Sequence, residues 1–261
     1  MNKLSEDQLT RYSRNILIKE IGIDGQAKLG KGKVLVIGAG GLGSPALLYC
    51  AAAGIGTLGI VDNDCVELSN LQRQIIHRTD DIGTAKTTSA ALKIHELNPD
   101  IIIETHQLRL SVSNVRSLIQ GYDFVIDATD NFAAKFLIND ACVMENIAYS
   151  HGGVLAFSGQ TMTVIPQISA CYRCVFTAPP IEGSVPTSAQ VGIMGSIPGI
   201  LGSIQATEAI KYIAQAGEML TDKLLTFDTL TMDFRTITLR KNPHCPLCAE
   251  QPTIHTLSDS H

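Results

Sequence analysis

At 261 residues the chain is long enough for one sizeable α/β core, and 45% hydrophobic residues with no low-complexity stretch exclude a disordered or fibrous protein. A formal net charge of −5, without any run of Lys or Arg, argues against nucleic acid as a partner and favours protein or small-molecule ligands. Residues 1–18 are interrupted by Glu6, Asp7, Arg11 and Arg14, so no secretory leader is expected and the protein is expected in the cytoplasm.

Residues 4–20 read as an N-terminal helical arm. The apolar run 33–37 predicts a strand that enters Gly38-Ala39-Gly40-Gly41-Leu42-Gly43, and residues 44–53 predict an apolar helix, Pro45 being tolerable in a first turn. Glycines spaced G-x-G-x-x-G between strand and helix let backbone N–H groups approach a phosphate, which makes Gly38, Gly40, Gly41 and Gly43 candidate nucleotide ligands. The next strand, 57–61, ends on Asp62, where a dinucleotide-binding unit places a carboxylate for ribose hydroxyls about 20 residues past the glycines. Glycines and Asp62 alone fit an ordinary NAD-binding unit at least as well as any other nucleotide site.

The segment 62–74 has no evident use in binding a pyridine nucleotide. It carries Asp64, Asn70, Arg73 and Gln74, and Lys86 follows at the start of a helix running to about 96. A single Arg or Lys is most often solvated surface charge, but two cations of different geometry near a helix N-terminus suit phosphates. A further strand, 122–128, ends in Asp127-Ala128-Thr129-Asp130-Asn131, and open parallel sheets bind ligands beyond the carboxyl ends of their strands. A carboxylate facing phosphates needs a divalent ion, so Asp130 is a candidate magnesium ligand. Asp130 and Asn131 are also both good N-caps for the helix 132–145, and one of them is expected to serve as one.

The strings Gly38-x-Gly-Gly-x-Gly43, Asp64-x-Val-x-x-Ser-Asn-Leu-x-Arg-Gln74, Asp127-x-Thr-Asp-Asn131 and Arg11-Tyr-Ser-Arg14, together with Lys86, resemble the ThiF/MoeB/HesA adenylyltransferases, bacterial relatives of ubiquitin-activating enzymes. The resemblance runs from Leu4 to about Cys248. It implies that ATP and magnesium are used to adenylylate the C-terminal glycine of a ubiquitin-like sulfur-carrier protein, ThiS-like or MoaD-like and ending in Gly-Gly. Pyrophosphate is released, and the acyl-adenylate is ready for conversion to a thiocarboxylate with a sulfur donor protein, in thiamin, molybdopterin or related biosynthesis. It further implies that Gly41 contacts the α-phosphate through its backbone and that Asp62 binds ribose. Asn70, Arg73 and Lys86 would bind phosphate, and Asp130 would be the metal-linked carboxylate. Arg14 would reach into the ATP site of the partner subunit of a homodimer. Asp64, Gln74 and Asn131 complete the expected ATP set. The alternatives are an enzyme of the same fold acting on a tRNA base or peptide, an NAD-dependent oxidoreductase, and a silent binding module.

Cys171-Tyr-Arg-Cys174 and Cys245-Pro-Leu-Cys248 are two C-x-x-C knuckles, the ligand set of a closed, structural four-thiolate zinc site, with redox pairs as the alternative. Cys50, Cys65 and Cys142 lie in or beside apolar stretches and read as buried, inert thiols. Many members of the resembled family have Pro-Thr-Cys where this chain reads Pro186-Thr187-Ser188; serine forms no acyl disulfide, so covalent capture of the carrier there is not expected.

After Gly152-Gly153, residues 160–165, 224–228 and 234–240 predict strands, and 191–216 a long helix. Pro198, Glu208 and Lys211 make that helix a buried one rather than a membrane span. The expected fold is α/β, Rossmann-like and doubly wound with a mixed sheet, parallel in the N-terminal half and antiparallel in the C-terminal half. Residues 1–261 are read as one domain, with an arm (1–30), a nucleotide-binding half (31–150) and a carrier-binding and zinc half (151–250). A groove for the carrier's tail is expected near Ser150-His151-Gly152-Gly153 and the loop 179–188, with Arg173 among its residues.

Overall fold

The computed structural model describes residues 4–181 and 183–258. Its strands are β1 (Lys33–Ile37), β2 (Thr57–Val61), β3 (Ile102–His106), β4 (Phe124–Asp127), β5 (Ala148–Leu155), β6 (Ser158–Val164), β7 (Lys223–Asp228) and β8 (Asp233–Thr238). They form an 8-stranded sheet in the order β3-β2-β1-β4-β5-β6-β7-β8. Pairing is parallel from β3 through β5 and antiparallel from β5 through β8. The reversal of strand order between β1 and β4 is the switch point beyond which such sheets open a crevice.

β1, β2 and β4 read as continuous apolar runs because helices cover both of their faces. Val34, Val36, Phe124 and Ile126 face one core with helices α4 (Gly43–Ala53), α5 (Lys86–Leu97) and α10 (Ser196–Ala214). Leu35, Ile37 and Val125 face the other, with α6 (Val115–Ile119), α7 (Phe132–Met144) and α8 (Tyr172–Val175). Among the described residues, no helix is long and apolar enough to cross a membrane.

Two expected helices are divided. The arm is α1 (Glu6–Arg11), capped by Ser5, then α2 (Ser13–Ile16) and, beyond the expected end, α3 (Gly22–Leu29). The chain breaks at Tyr12, whose buried ring lies against Gly54 and whose hydroxyl accepts from Asn98 Nδ2 at 2.9 Å. The stretch 191–216 splits into α9 (Ser188–Val191) and α10, because Gly192 takes φ 81° and turns the chain.

Candidate functional site

A cleft of about 1740 Å³ opens beyond the carboxyl ends of β1 and β4. Gly38, at φ 103°, has no room for a side chain: a Cβ would stand 2.7 Å from the Ala128 carbonyl oxygen. A Cβ on Gly43 would stand 1.8 Å from the Gly38 carbonyl oxygen. The loop therefore packs backbone on backbone, and α4 starts from it with its N-terminus at the cleft.

Asp62 accepts from the backbone N–H groups of Ala39 and Asp64, both at 2.8 Å, which fixes its carboxylate at the cleft wall with lone pairs to spare. Lys86, whose side chain is only 7% exposed, donates to Asp64 Oδ2 at 2.9 Å, and Asp64 is 59% exposed. Arg73 is half-buried, lies against Gly41 and donates from Nη1 to the Ser69 carbonyl at 3.1 Å. Gln74 is buried beside Gly40, and its Oε1 has no partner among the described residues. Asp130 is exposed on the cleft wall. Asn131 answers the capping question, its Oδ1 accepting from Ala134 N at 2.9 Å at the head of α7.

Three expected residues do not line this cleft, the first being Gly43, which is buried beneath the loop at the start of α4. Asn70 is buried and turns inward, its Oδ1 accepting from Glu67 N at 3.1 Å. Arg14 is on the arm, which packs where α4 and α5 end, at Gly54 and Asn98. That is a full helix away from the glycine loop, roughly 16 Å for the 11 residues of α4. Among the described residues, Arg14 forms no ion pair.

Sequence reasoning missed a buried polar network under the cleft. Asp127 Oδ2 receives Lys135 Nζ at 3.3 Å and His151 Nδ1 at 3.1 Å, while its Oδ1 accepts from Thr129. Lys135 also donates to the Thr129 carbonyl at 2.7 Å and to that of Gly152. Gln205 on α10 donates to the Asp127 carbonyl at 2.8 Å. Burial works to raise the Asp127 pKa, but the Lys135 charge and the bonds from His151 and Thr129 outweigh it and hold it at about 2. Burial lowers the His151 pKa against its bond to Asp127, so the ring is held towards its neutral form. A second buried histidine, His77, sits under the glycine loop between Ser89 Oγ at 2.8 Å and the Ala39 carbonyl at 2.9 Å, its pKa likewise lowered, mainly by burial. His77 reveals itself in no local motif.

The cleft continues across the antiparallel half of the sheet. Gly153, Gln160, Thr226 and Arg235 are register partners on β5, β6, β7 and β8, and all four line it. Leu155, Ser158, Asp228 and Asp233 form the next row. From β4 to the open edge at β8 the floor spans roughly 19 Å, at about 4.8 Å per strand. Of the expected groove, His151, Gly153 and the loop residues Val185, Pro186 and Thr187 line this cleft. Ser150 is buried beneath Gln205. Glu182 and the side chain of Ser188 lie outside the described residues.

Arg173 corrects an expectation. It is buried, pairs with Asp140 through Nε at 2.7 Å and Nη2 at 2.8 Å, and lies over the Phe136 ring, so it is a core residue and not part of a groove. Cys65 is exposed rather than buried, whereas Cys50 and Cys142 are buried and burial pushes the Cys50 thiol up to about 12. Cys171, Cys174, Cys245 and Cys248 converge with every sulfur within 4.8 Å of the others. Separations of 3.9 Å for Cys171–Cys174, 3.6 Å for Cys171–Cys245 and 3.4 Å for Cys174–Cys248 bracket the roughly 3.8 Å edge of a tetrahedron with metal–sulfur bonds of about 2.3 Å.

A doubly wound sheet with a glycine loop at its switch point, cations and carboxylates around it and a polar floor leading to the sheet edge defines a nucleotide-binding α/β protein with room for a second, extended ligand. The ThiF family model matches residues 12–247, and the chain belongs to that family. It is 47% identical over 247 residues to the SAMP-activating enzyme E1 of Haloferax volcanii, covering 95% of this chain and 91% of that protein. It is 39% identical over 260 residues to the sulfur carrier protein adenylyltransferase of Thermus thermophilus, covering 98% and 96%. The probable adenylyltransferase/sulfurtransferase MoeZ of Mycobacterium tuberculosis is 46% identical, but the chain spans only 64% of its length. Among solved structures, E. coli MccB with ATP has a similar fold, with a TM-score of 0.83 at 23% identity, covering 95% of this chain and 76% of that one.

Proposed function

We propose that this protein is an ATP-dependent adenylyltransferase that activates the C-terminal glycine of a ubiquitin-like sulfur-carrier protein. The observation that carries this reading is one continuous cleft whose inner end holds the glycine loop, Asp62, Arg73, Lys86 and Asp130, and whose floor runs on to an open sheet edge. The inner end suits a nucleotide triphosphate, and the floor suits an extended peptide delivering a carboxylate. The names of the Haloferax and Thermus relatives, matched over nearly their whole length, support the same chemistry.

The carrier's terminal carboxylate is ionised at neutral pH and needs no general base. Its oxygen attacks the α-phosphorus of ATP, the bond to the bridging oxygen of the β-phosphate breaks, and pyrophosphate leaves with that electron pair. Catalysis then consists of alignment and charge neutralisation. Lys86 exchanges its exposed partner Asp64 for phosphate, Arg73 supplies a planar fork beside Gly41, and the Gly41 backbone meets the α-phosphate. A magnesium ion held by Asp130 would offset phosphate charge. The four thiols suit zinc, which would tie α8 to the C-terminal segment with no open position for chemistry. Because the arm holds Arg14 away from its own cleft, an Arg14 acting at an ATP site does so across a homodimer.

The test is ATP–pyrophosphate exchange with magnesium, with and without small β-grasp proteins ending in Gly-Gly from the same genome, followed by intact mass of the carrier. Exchange dependent on one carrier, with AMP on its terminal glycine, is expected. A protein that binds ATP and exchanges with none of them overturns the carrier assignment.

A further inference from the structure

The floor of the cleft holds an unmet hydrogen-bonding demand. His151 is 1% exposed, and its Nε2 has no partner among the described residues. Its Nδ1 faces Asp127 Oδ2 at 3.1 Å, and a carboxylate held ionised accepts, so Nδ1 carries the proton and Nε2 offers a lone pair. A buried acceptor without a donor is costly unless a ligand supplies one.

Beside this atom stands a glycine. Gly153 lies two residues along the same strand face, and a Cβ there would stand 3.6 Å from His151 Nε2 and 3.5 Å from Gln160 Cγ. The Gln160 carboxamide makes no hydrogen bond of its own among the described residues, and Gln160 is the cross-strand partner of Gly153. A neutral acceptor and a free carboxamide thus flank a bare stretch of backbone on the path from the sheet edge to the glycine loop. The nucleotide does not meet this demand: its phosphates only accept, and its ribose hydroxyls belong with Asp62, on the far side of β1, which carries the attached adenine and its amino group there too.

We propose that His151 Nε2 accepts a backbone N–H from the last residues of the incoming peptide, while Gln160 brackets the same peptide across the uncovered face of Gly153. The inference rests on the carrier reading above and adds the residues that select the tail. Selection acts on main chain rather than side chains: a residue without an N–H is refused, and glycine is favoured because it brings backbone close.

Two variants test it in the exchange assay, with carrier and ATP titrated separately. His151→Asn keeps a donor for Asp127 and deletes the acceptor. Gly153→Ala adds a methyl at ordinary contact distance, covers Nε2 and leaves the network intact. Each is expected to raise the KM for carrier about tenfold with the KM for ATP within about twofold. A carrier bearing N-methylglycine at the position read by His151, found by placing it at the terminal and then the penultimate residue, is expected to lose about tenfold with the unaltered enzyme. It should lose little more with His151→Asn. Unchanged carrier KM in both variants, each with an unaltered melting curve, means that Nε2 meets water only and overturns the proposal. Absence of exchange with every carrier in the unaltered enzyme removes the carrier reading itself.

Discussion

Asp127 and the two buried histidines make pH a direct probe of individual residues. Both His77 and His151 have folded pKa values below the ordinary 6.5, so the unfolded chain takes up protons first as pH falls. Their stabilisation is complete above about 6.5 and is lost as pH falls below it; that of Asp127 is present above 3.8 and lost as pH falls towards about 2. Melting temperature is expected to fall between pH 7 and 5, with a shallower slope in His77→Gln, and a flat profile would show that neither ring is held neutral. Arg173→Ala strands the Asp140 carboxylate in the core and should cost about 3–5 kcal/mol in urea unfolding. A loss confined to carrier affinity would return Arg173 to the groove. Lys86→Ala frees only an exposed carboxylate, so exchange should drop at least about a hundredfold with the melting curve nearly unmoved. Retained exchange removes Lys86 from the phosphate site.

Among the elements, those that alternate or run apolar between turn signals were legible: β1 and β2 match the expected 33–37 and 57–61 residue for residue. β5 was not, because Gly152-Gly153 read as a boundary. Both glycines lie inside the strand, and Gly152 is small so that Gln205 of α10 can pass, a Cβ there standing 2.8 Å from its amide. Helix α10 was extended too far towards the N-terminus since the stretch stays apolar across Gly192, and polarity does not report a φ reversal. The cysteine knuckles belong to this scale too. If they hold zinc as proposed, a chelator is expected to loosen the packing of α8 against residues 245–248 and lower the melting temperature, while nucleotide affinity holds. Lost ATP binding at that step would show that the cysteine cluster supports the cleft directly.

For the whole molecule, residues close in sequence were legible as neighbours: Asp62, Arg73 and Lys86 all line the one cleft. It did not disclose the Asp127, Lys135 and His151 network, whose members come from β4, α7 and β5 and meet only when the sheet forms. Arg14 is the converse case, legible as a motif residue yet held away from its own cleft. In a homodimer with shared sites, Arg14→Ala mixed with Asp130→Ala should regain activity up to roughly a quarter, since statistical mixing leaves one intact site in half of the dimers. Exchanged heterodimers with no recovery would confine Arg14 to a role in its own subunit.

The cysteine cluster has a topological consequence. With the four thiolates closed on an ion as proposed, residues 174–245 become a ring that contains α9, α10, β7 and β8. The edge strand β8 then cannot peel away from the sheet as a free tail, because both ends of its loop are tethered at one point. A cut in the loop that lines the mouth of the cleft would leave two fragments clasped by the ion even after the sheet between them is unfolded, parting then only when the thiolates are protonated or the ion is chelated.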